Sequence, residues 1–254
     1  MHPHDKHASK VPEVTLLFWV TKILATTLGE TGGDAVSMSM QLGYLVGTGI
    51  FAVIFAVAVT TQIRATRFHP SLYWLTVIAT TTLGTTLADF ADRSLGIGYA
   101  GGVALLLTLL LGSLFAWHAR LGSVAVDAIT SLQAEGFYWV TIMFSQTLGT
   151  ALGDWTADNA GLGYLGGAVI FGTALMMLAA AYAWTRISRA ALFWTAFILT
   201  RPLGAVLGDF LDKPIDHGGL ALSRYSASLV LLAAIALCVF GFRHRAAGGS
   251  RAVR

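Results

Sequence analysis

Four aspartates stand at equivalent positions of a pattern that recurs along the chain. Each follows a tryptophan by fifteen residues: the tryptophans are Trp19, Trp74, Trp139 and Trp194, and the aspartates are Asp34, Asp89, Asp154 and Asp209. Carboxylate oxygens bind hard cations such as Mg²⁺ and Mn²⁺, and they also exchange protons. The four aspartates are therefore candidate ligands of a metal ion or members of a proton relay.

Further polar residues share the helix face that carries the aspartates. At about 100° of rotation per residue, Glu30 and the threonines Thr27, Thr82 and Thr147 fall within the same arc. Glu30 adds a fifth acid to the set, and the threonine hydroxyls add neutral oxygens for a cation. A polar stripe on an apolar helix is expected to face the interior of a bundle or a water-filled cavity.

Two basic residues lie on or beside this polar face, namely Lys22 and Arg201. Five acids and two bases leave three negative charges, which need a bound cation or protons. We expect Lys22 and Arg201 to form ion pairs with the acids, and direct contact with a substrate is the alternative.

Two other interpretations of these residues stay open. The aspartates could end their helices at the outer membrane surface, where they would cap loops or meet water. The tryptophans could form an aromatic belt at the cytoplasmic interface, whereas the functional interpretation makes them a gate below the acids.

All these residues belong to four copies of one sequence unit. The tryptophans are separated by 55, 65 and 55 residues, and a glycine preceded by leucine follows each of them by ten residues. Three units continue with a Gly-Tyr pair, beginning at Gly43, Gly98 and Gly163, whereas the fourth unit departs from the pattern after Asp209. The equal spacing within each half indicates a duplicated ancestor of two repeats.

The composition places this repeat in a membrane. The chain has 254 residues, of which 56% are hydrophobic and only 11% are charged, and its mean hydropathy is +0.70. A soluble domain carries about 25% charged residues. These values exclude a water-soluble enzyme and a disordered chain, and the single cysteine excludes an internal disulfide or a cysteine metal cluster.

Each unit holds two apolar stretches long enough to cross a bilayer. The predicted fold is all-α: a polytopic membrane protein of eight transmembrane helices, built from four two-helix repeats with pseudo-symmetry about a central axis. The expected organisation is a polar N-terminal tail (1–12), repeat 1 (13–64), repeat 2 (65–119), a linker between the halves (120–134), repeat 3 (135–187), repeat 4 (188–243) and a basic C-terminal tail (244–254).

A second pattern beside the polar stripe predicts how the first helices of the repeats pack. Each carries two small residues four positions apart, and such pairs let helices approach closely in lipid. The pairs are Gly29/Gly33, Gly84/Ala88, Gly149/Gly153 and Gly204/Gly208. We therefore expect these four helices to surround one axis and to bring the four aspartates towards one another.

The distribution of basic residues predicts the orientation. The termini and the links between repeats carry most of the Lys and Arg, whereas the opposite loops hold only Arg93, Lys213 and Arg224. By the positive-inside rule both termini are cytoplasmic. Lipid contact accounts for the net charge of +3, and no nucleic-acid partner is expected.

The repeat resembles a family of bacterial integral membrane proteins that is defined by a tandem repeat of unknown function. The resemblance rests on the recurring Phe/Tyr-Trp, Thr/Pro-Leu-Gly and Asp positions and covers about residues 14–242. It implies four repeats with two membrane segments and a characteristic tryptophan each, in a bacterial inner membrane. It implies no activity or substrate.

The leading hypothesis is a transporter or channel for a small cation, with a divalent metal ion preferred and proton coupling as a variant. The alternative is a protein that binds or senses a small anionic ligand or lipid head group at Lys22 and Arg201, without transport. A membrane enzyme is the least supported class, because no spacing of a nucleophile and a base stands out, and we expect no enzymatic activity. A bound divalent cation is the one expected cofactor, and the sequence does not define the oligomeric state.

Overall fold

The computed structural model of the chain describes residues 9–247 and is all-helical, with eight long helices. The helices are α1 (Leu16–Asp34), α2 (Gly43–Arg64), α3 (Pro70–Asp89), α4 (Tyr99–Leu121), α5 (Leu132–Asp154), α6 (Gly163–Trp184), α7 (Arg189–Asp212) and α8 (Arg224–Gly241). Each of the four repeats therefore contributes two helices, as the hydrophobic pattern predicts.

The first helices of the four repeats form a closed inner ring. Each of α1, α3, α5 and α7 packs against its two neighbours, and α7 returns to α1. The second helices lie outside this ring, shifted by one repeat: α2 packs on α3, α4 on α5, α6 on α7, and α8 on α1. The second helix of each repeat covers the first helix of the next, and α8 of the last repeat covers α1 of the first. No repeat therefore buries its first helix with its own second helix alone.

Small residues set the spacing of the inner ring by one rule that holds in all four repeats. The glycine ten residues after each tryptophan meets the residue seven after the tryptophan of the next repeat. The four contacts are Gly29 with Thr81, Gly84 with Gln146, Gly149 with Arg201, and Gly204 with Thr26. A Cβ at any of these glycines would collide with its neighbour, so the close approach of the helices requires glycine.

The burial of the helices explains their different hydropathy. Five helices, namely α2, α4, α6, α7 and α8, are long and apolar enough to cross a membrane. The other three, α1, α3 and α5, carry the acids, hydroxyls and Lys22 that lower their hydropathy, and these polar groups are buried inside the ring. The acids face the axis, which is where the sequence pattern predicts them, whereas some hydroxyls, such as that of Thr31 beside Ser228, face a second helix.

The two ends of the described chain pair with each other at one end of the ring. The backbone N–H of Glu13 donates to Arg245 at 2.8 Å, and that of Ala247 donates to Val11 at 2.8 Å. The Lys10 ammonium lies 2.7 Å from Glu135 at the start of α5. Parts of both predicted tails are thus packed, whereas residues 1–8 and 248–254 of these tails lie outside the described residues.

Candidate functional site

The four aspartates lie inside the protein, at one end of the inner ring. Asp34, Asp89, Asp154 and Asp209 expose only 1%, 2%, 3% and 4% of their surface. The first three each end an α-helix, and a single π-helical turn follows, with no capping bond from the aspartate side chain. The alternative of solvated or helix-capping aspartates is therefore wrong for these three, and π-helical turns are frequent at functional sites.

Two basic residues divide the four aspartates into two pairs. Arg93 reaches Asp89 at 3.0 Å and Asp154 at 3.2 Å. Lys213 reaches Asp34 at 2.7 Å and Asp209 at 3.1 Å. Arg93 and Lys213 both follow the tryptophan of an even-numbered repeat by nineteen residues. The charged layer thus has two-fold symmetry within the four-fold fold.

The carboxylates hold both of these cations in their charged form. Burial on its own would lower the pKa of Lys213, but the carboxylates of Asp209 and Asp34 outweigh it and raise this pKa above its ordinary value. The pKa of Arg93 is likewise raised, because Asp89 and Asp154 outweigh the burial. Each pair of aspartates is therefore bridged by a permanent positive charge.

Three carboxylates come close enough to share one ion. Glu30, Asp34 and Asp209 each offer an oxygen, and these oxygens lie within 4.8 Å of one another. Two of the four aspartates predicted as metal ligands are in this set, together with Glu30. Asp89 and Asp154 lie outside it, because the positions equivalent to Glu30 in their repeats are threonines.

Arg201 occupies the axis of the ring and binds the three other repeats. Its guanidinium donates to Glu30 of repeat 1 at 3.0 Å, to Thr85 of repeat 2 at 2.6 Å and to Thr150 of repeat 3 at 2.5 Å. These partners hold the same position, eleven residues after the tryptophan, where repeat 4 has Ala205. The expected ion pair of Arg201 with an acid is present, and the small Ala205 leaves room for it.

Lys22 departs from its expected role. Its side chain is fully buried, and its Nζ has no hydrogen-bond partner among residues 9–247. The amine lies 4.1 Å from the centre of the Phe197 ring. The prediction that Lys22 pairs with an acid is therefore wrong. Lys22 lies nearer to the tryptophan end of the axis than the carboxylates do, in an apolar layer.

The threonines proposed as neutral ligands point back to their own helices. The hydroxyls of Thr27, Thr82 and Thr147 donate to the carbonyl four residues earlier, at 2.9, 2.8 and 3.0 Å. Thr85 and Thr150, on the same polar stripe, contact Arg201 instead. A hydroxyl that donates keeps its oxygen lone pairs, so the role of Thr27, Thr82 and Thr147 as neutral ligands stays a prediction.

The tryptophans form a closed aromatic ring at the other end of the axis. The aromatic residue before each tryptophan packs on the tryptophan of the next repeat, at centroid distances of 5.4 to 6.0 Å. The four contacts between repeats are Phe18 with Trp74, Tyr73 with Trp139, Tyr138 with Trp194, and Phe193 with Trp19.

This aromatic ring lies in the core of the protein. Trp74, Trp139 and Trp194 expose 1%, 3% and 4% of their surface, and Trp19 is partly buried. A belt at the membrane interface would expose these side chains to lipid. The belt interpretation is therefore wrong for the three buried tryptophans, and all four close the end of the ring opposite the aspartates.

Arg93 and Lys213 are the site residues that the sequence argument missed, since it assigned them to outer loops. The available signal was a basic residue four positions after the aspartate in the even-numbered repeats only. A third outer cation, Arg224, lies 2.9 Å from Asp212, which is also buried. With Arg93 and Lys213 included, the predicted surplus of negative charge largely disappears.

The comparisons with known proteins identify the repeats and no activity. A search of curated proteins and a search of solved structures find no match to the chain. A family model matches four times in tandem, over residues 17–68, 72–122, 137–188 and 192–246. These matches cover most of the sequence and follow the four units described above. The chain therefore belongs to the family described as Repeat of Unknown Function (DUF347).

Proposed function

We propose that the chain is a multi-pass protein of the bacterial inner membrane with eight membrane-spanning helices and cytoplasmic termini. The apolar outer helices and the basic links between repeats support this orientation. It puts the aromatic ring at the cytoplasmic side and the aspartates at the outer side. Fusions of a periplasm-active reporter to either terminus should be inactive, and an active fusion would contradict the topology.

We further propose that the protein transports a small cation, with a divalent metal ion preferred, either alone or in exchange for protons. The observation that carries this proposal is the triad Glu30, Asp34 and Asp209, whose oxygens lie within 4.8 Å of one another. Oxygen ligands at this spacing suit Mg²⁺ or Mn²⁺. One Asp34 oxygen, Oδ1, is buried and has no hydrogen-bond partner within residues 9–247, so it is available to a ligand.

Charge balance favours a divalent ion over a monovalent one. The triad carries three negative charges when ionised, and Arg201 compensates one of them through its 3.0 Å contact with Glu30. A divalent ion supplies the other two, so the occupied site is neutral. Lys213 contributes a single positive charge to the same carboxylates, and it acts as a tethered substitute for the ion.

The proposed transport cycle follows from which parts of the site can move. The Lys213 side chain is 13% exposed, and its flexible stem allows it to leave the triad when a cation enters from the outer side. Arg201 and the aromatic ring lie on the axis below the triad. Release to the cytoplasm therefore requires a second conformation, which is the behaviour of a transporter and not of an open channel.

Uptake by proteoliposomes tests the proposal. Purified protein is reconstituted, and entry of Mn²⁺ is followed with an internal metal-quenched dye in the wild type, in Asp34→Asn and in Asp209→Asn. We expect at least a tenfold loss of uptake in both variants. Asp216→Asn is the matched control, because Asp216 lies in the loop after α7 and is 79% exposed in its side chain.

The variants must retain their folded state for this comparison, which size-exclusion profiles and unfolding temperatures monitor. Wild-type liposomes that take up no more Mn²⁺, Mg²⁺, Zn²⁺ or H⁺ than empty liposomes would contradict the transport proposal. Equal uptake in the wild type and in a folded Asp34→Asn variant would remove the triad from it.

A further inference from the structure

A layer with one charged residue lies on the axis between the aromatic ring and the aspartates. The residues three positions after the tryptophans are Lys22, Val77, Ile142 and Phe197, and all four have no exposed surface. They surround the axis at one level, because the inner ring places equivalent positions of the four repeats side by side. Lys22 thus extends its amine into a layer that is otherwise apolar.

This part of the axis holds more positive than negative charge. Arg201 lies one helical turn after Phe197 on α7, and the Phe197 ring is the group that the Lys22 amine contacts. Lys22 and Arg201 are fully buried, and the acid that faces them is Glu30, which Arg201 already binds. A buried ammonium without a counter-charge is costly, because desolvation of a charge exceeds most gains from packing.

Several donors in the same region also lack partners. Within the part of the chain that the structure describes, Lys22 Nζ, Arg201 Nε and Gln146 Nε2 are buried donors that form no hydrogen bond, and the acceptor Gln146 Oε1 lacks a partner as well. Gln146 holds in repeat 3 the position that Arg201 holds in repeat 4. Buried polar groups are bonded in nearly all proteins, so this group of donors indicates a missing ligand.

We propose that Lys22, Arg201 and Gln146 enclose a small inorganic anion of about the size of chloride. An ammonium, a guanidinium N–H and an amide N–H are donors that suit an anion, and one negative charge balances the excess. The aromatic ring lies on one side of these residues and the Arg201–Glu30 pair on the other, and because the residues are buried we expect an ion and not a lipid head group. This site goes beyond the proposed cation transport and does not depend on it.

Thermal unfolding in different salts tests the anion site. Because the site is buried, the protein is solubilised and purified from the start either in sodium chloride or in sodium gluconate at equal ionic strength. We expect an unfolding temperature about 4 °C or more higher in chloride, since a ligand that binds only the folded state stabilises it. Bromide should substitute for chloride, and an anomalous peak near Lys22 in bromide crystals would locate it.

Two variants and one control identify the residues. Lys22→Met removes the excess charge, so the difference between chloride and gluconate should disappear. Gln146→Glu supplies a fixed negative charge, so its unfolding temperature should be equally independent of chloride, even if Lys22→Met fails to fold. Arg186→Gln removes an exposed cation outside the layer and should keep the full difference.

Either of two results would overturn this proposal. The first is a wild-type unfolding temperature that is the same in chloride, bromide and gluconate. The second is a chloride effect that persists in folded Gln146→Glu or that disappears in Arg186→Gln. Either outcome would indicate a general salt effect.

Discussion

The guanidinium of Arg201 donates a hydrogen bond to the carboxylate of Glu30 at 3.0 Å, across the junction between the last and the first repeat. The two residues are 171 positions apart in the sequence, and both are buried. Their helices, α7 and α1, complete the inner ring. This buried ion pair on the axis thus joins the beginning of the repeat array to its end.

Loss of Arg201 should destabilise the protein strongly. In Arg201→Met the carboxylate of Glu30 and two threonine hydroxyls lose their partner in a buried layer, which costs about 3 kcal/mol or more. Chemical denaturation in detergent measures this change. The double variant Arg201→Met/Glu30→Gln removes both charges and should recover most of the loss. A double variant as unstable as the single one would contradict this account of the pair.

Removal of Lys213 should increase the affinity for a metal ion. In Lys213→Met the triad loses its tethered cation, so we expect Mn²⁺ to bind about tenfold more tightly, equivalent to about 1.4 kcal/mol. Isothermal titration calorimetry measures the affinity. Arg93→Met is the matched control, because within residues 9–247 no third carboxylate joins Asp89 and Asp154 in such a cluster. A weaker or unchanged affinity in Lys213→Met would show that Lys213 does not compete with the ion.

The contribution of Lys213 to stability should not be lost between neutral pH and pH 9. Because its pKa is raised in the folded state, the stabilisation is complete below the unfolded pKa of about 10.4 and is lost only as pH rises further. The difference in unfolding temperature between the wild type and Lys213→Met should therefore not shrink from pH 7 to pH 9. A difference that shrinks in this range would indicate that the amine loses its proton there.

A methyl group at an inner-ring glycine should be harmful, whereas one on an outer helix should not. A Cβ at Gly84 would lie 2.9 Å from the backbone of Gln146 on α5, which cannot yield without separating the helices. We expect Gly84→Ala to cost about 1 to 3 kcal/mol. Gly112, on α4, has no atom within 4 Å of its Cβ position, so Gly112→Ala should be neutral or stabilising. Equal effects in denaturation would contradict the packing rule.

Much of the fold could be predicted because it is repeated. The tryptophan, glycine and aspartate recur at the same spacing in every unit. A pattern that is weak in one unit is therefore supported by the other three. The polar stripe indicated the buried face of each first helix, and the small residues indicated the close packing. A second helix could cover the first helix of its own repeat or that of the next repeat. The sequence does not distinguish these two arrangements, because both bury the same helix faces.

The candidate site was predictable only in part. The aspartates and Glu30 were visible in the helical pattern, and the structure buries all of them. Their partners Arg93 and Lys213 lie beyond the α-helical segments that hold the aspartates, where a periodic pattern no longer fixes the direction of a side chain. Lys22 looked like an ion-pair partner, because a helical wheel shows the face of a residue but not its depth relative to an acid on another helix.

The aromatic ring contains a hydrogen bond that only half of the repeats share. The position before the tryptophan is Phe18 in repeat 1 and Phe193 in repeat 4, but Tyr73 and Tyr138 occupy it in repeats 2 and 3. The two tyrosine hydroxyls are buried and lie 2.6 Å apart. Each hydroxyl therefore satisfies the other inside an apolar cluster.

A double-mutant cycle on this pair should show strong coupling. Tyr73→Phe or Tyr138→Phe alone leaves one buried hydroxyl without its partner, which costs about 1 to 2 kcal/mol. Tyr73→Phe/Tyr138→Phe removes both hydroxyls and restores the phenylalanine that the other two repeats carry, so it should be close to the wild type in stability. Denaturation of the four proteins measures the coupling. Additive losses would contradict it, because they would mean that each hydroxyl has a separate partner, such as a water molecule on the axis.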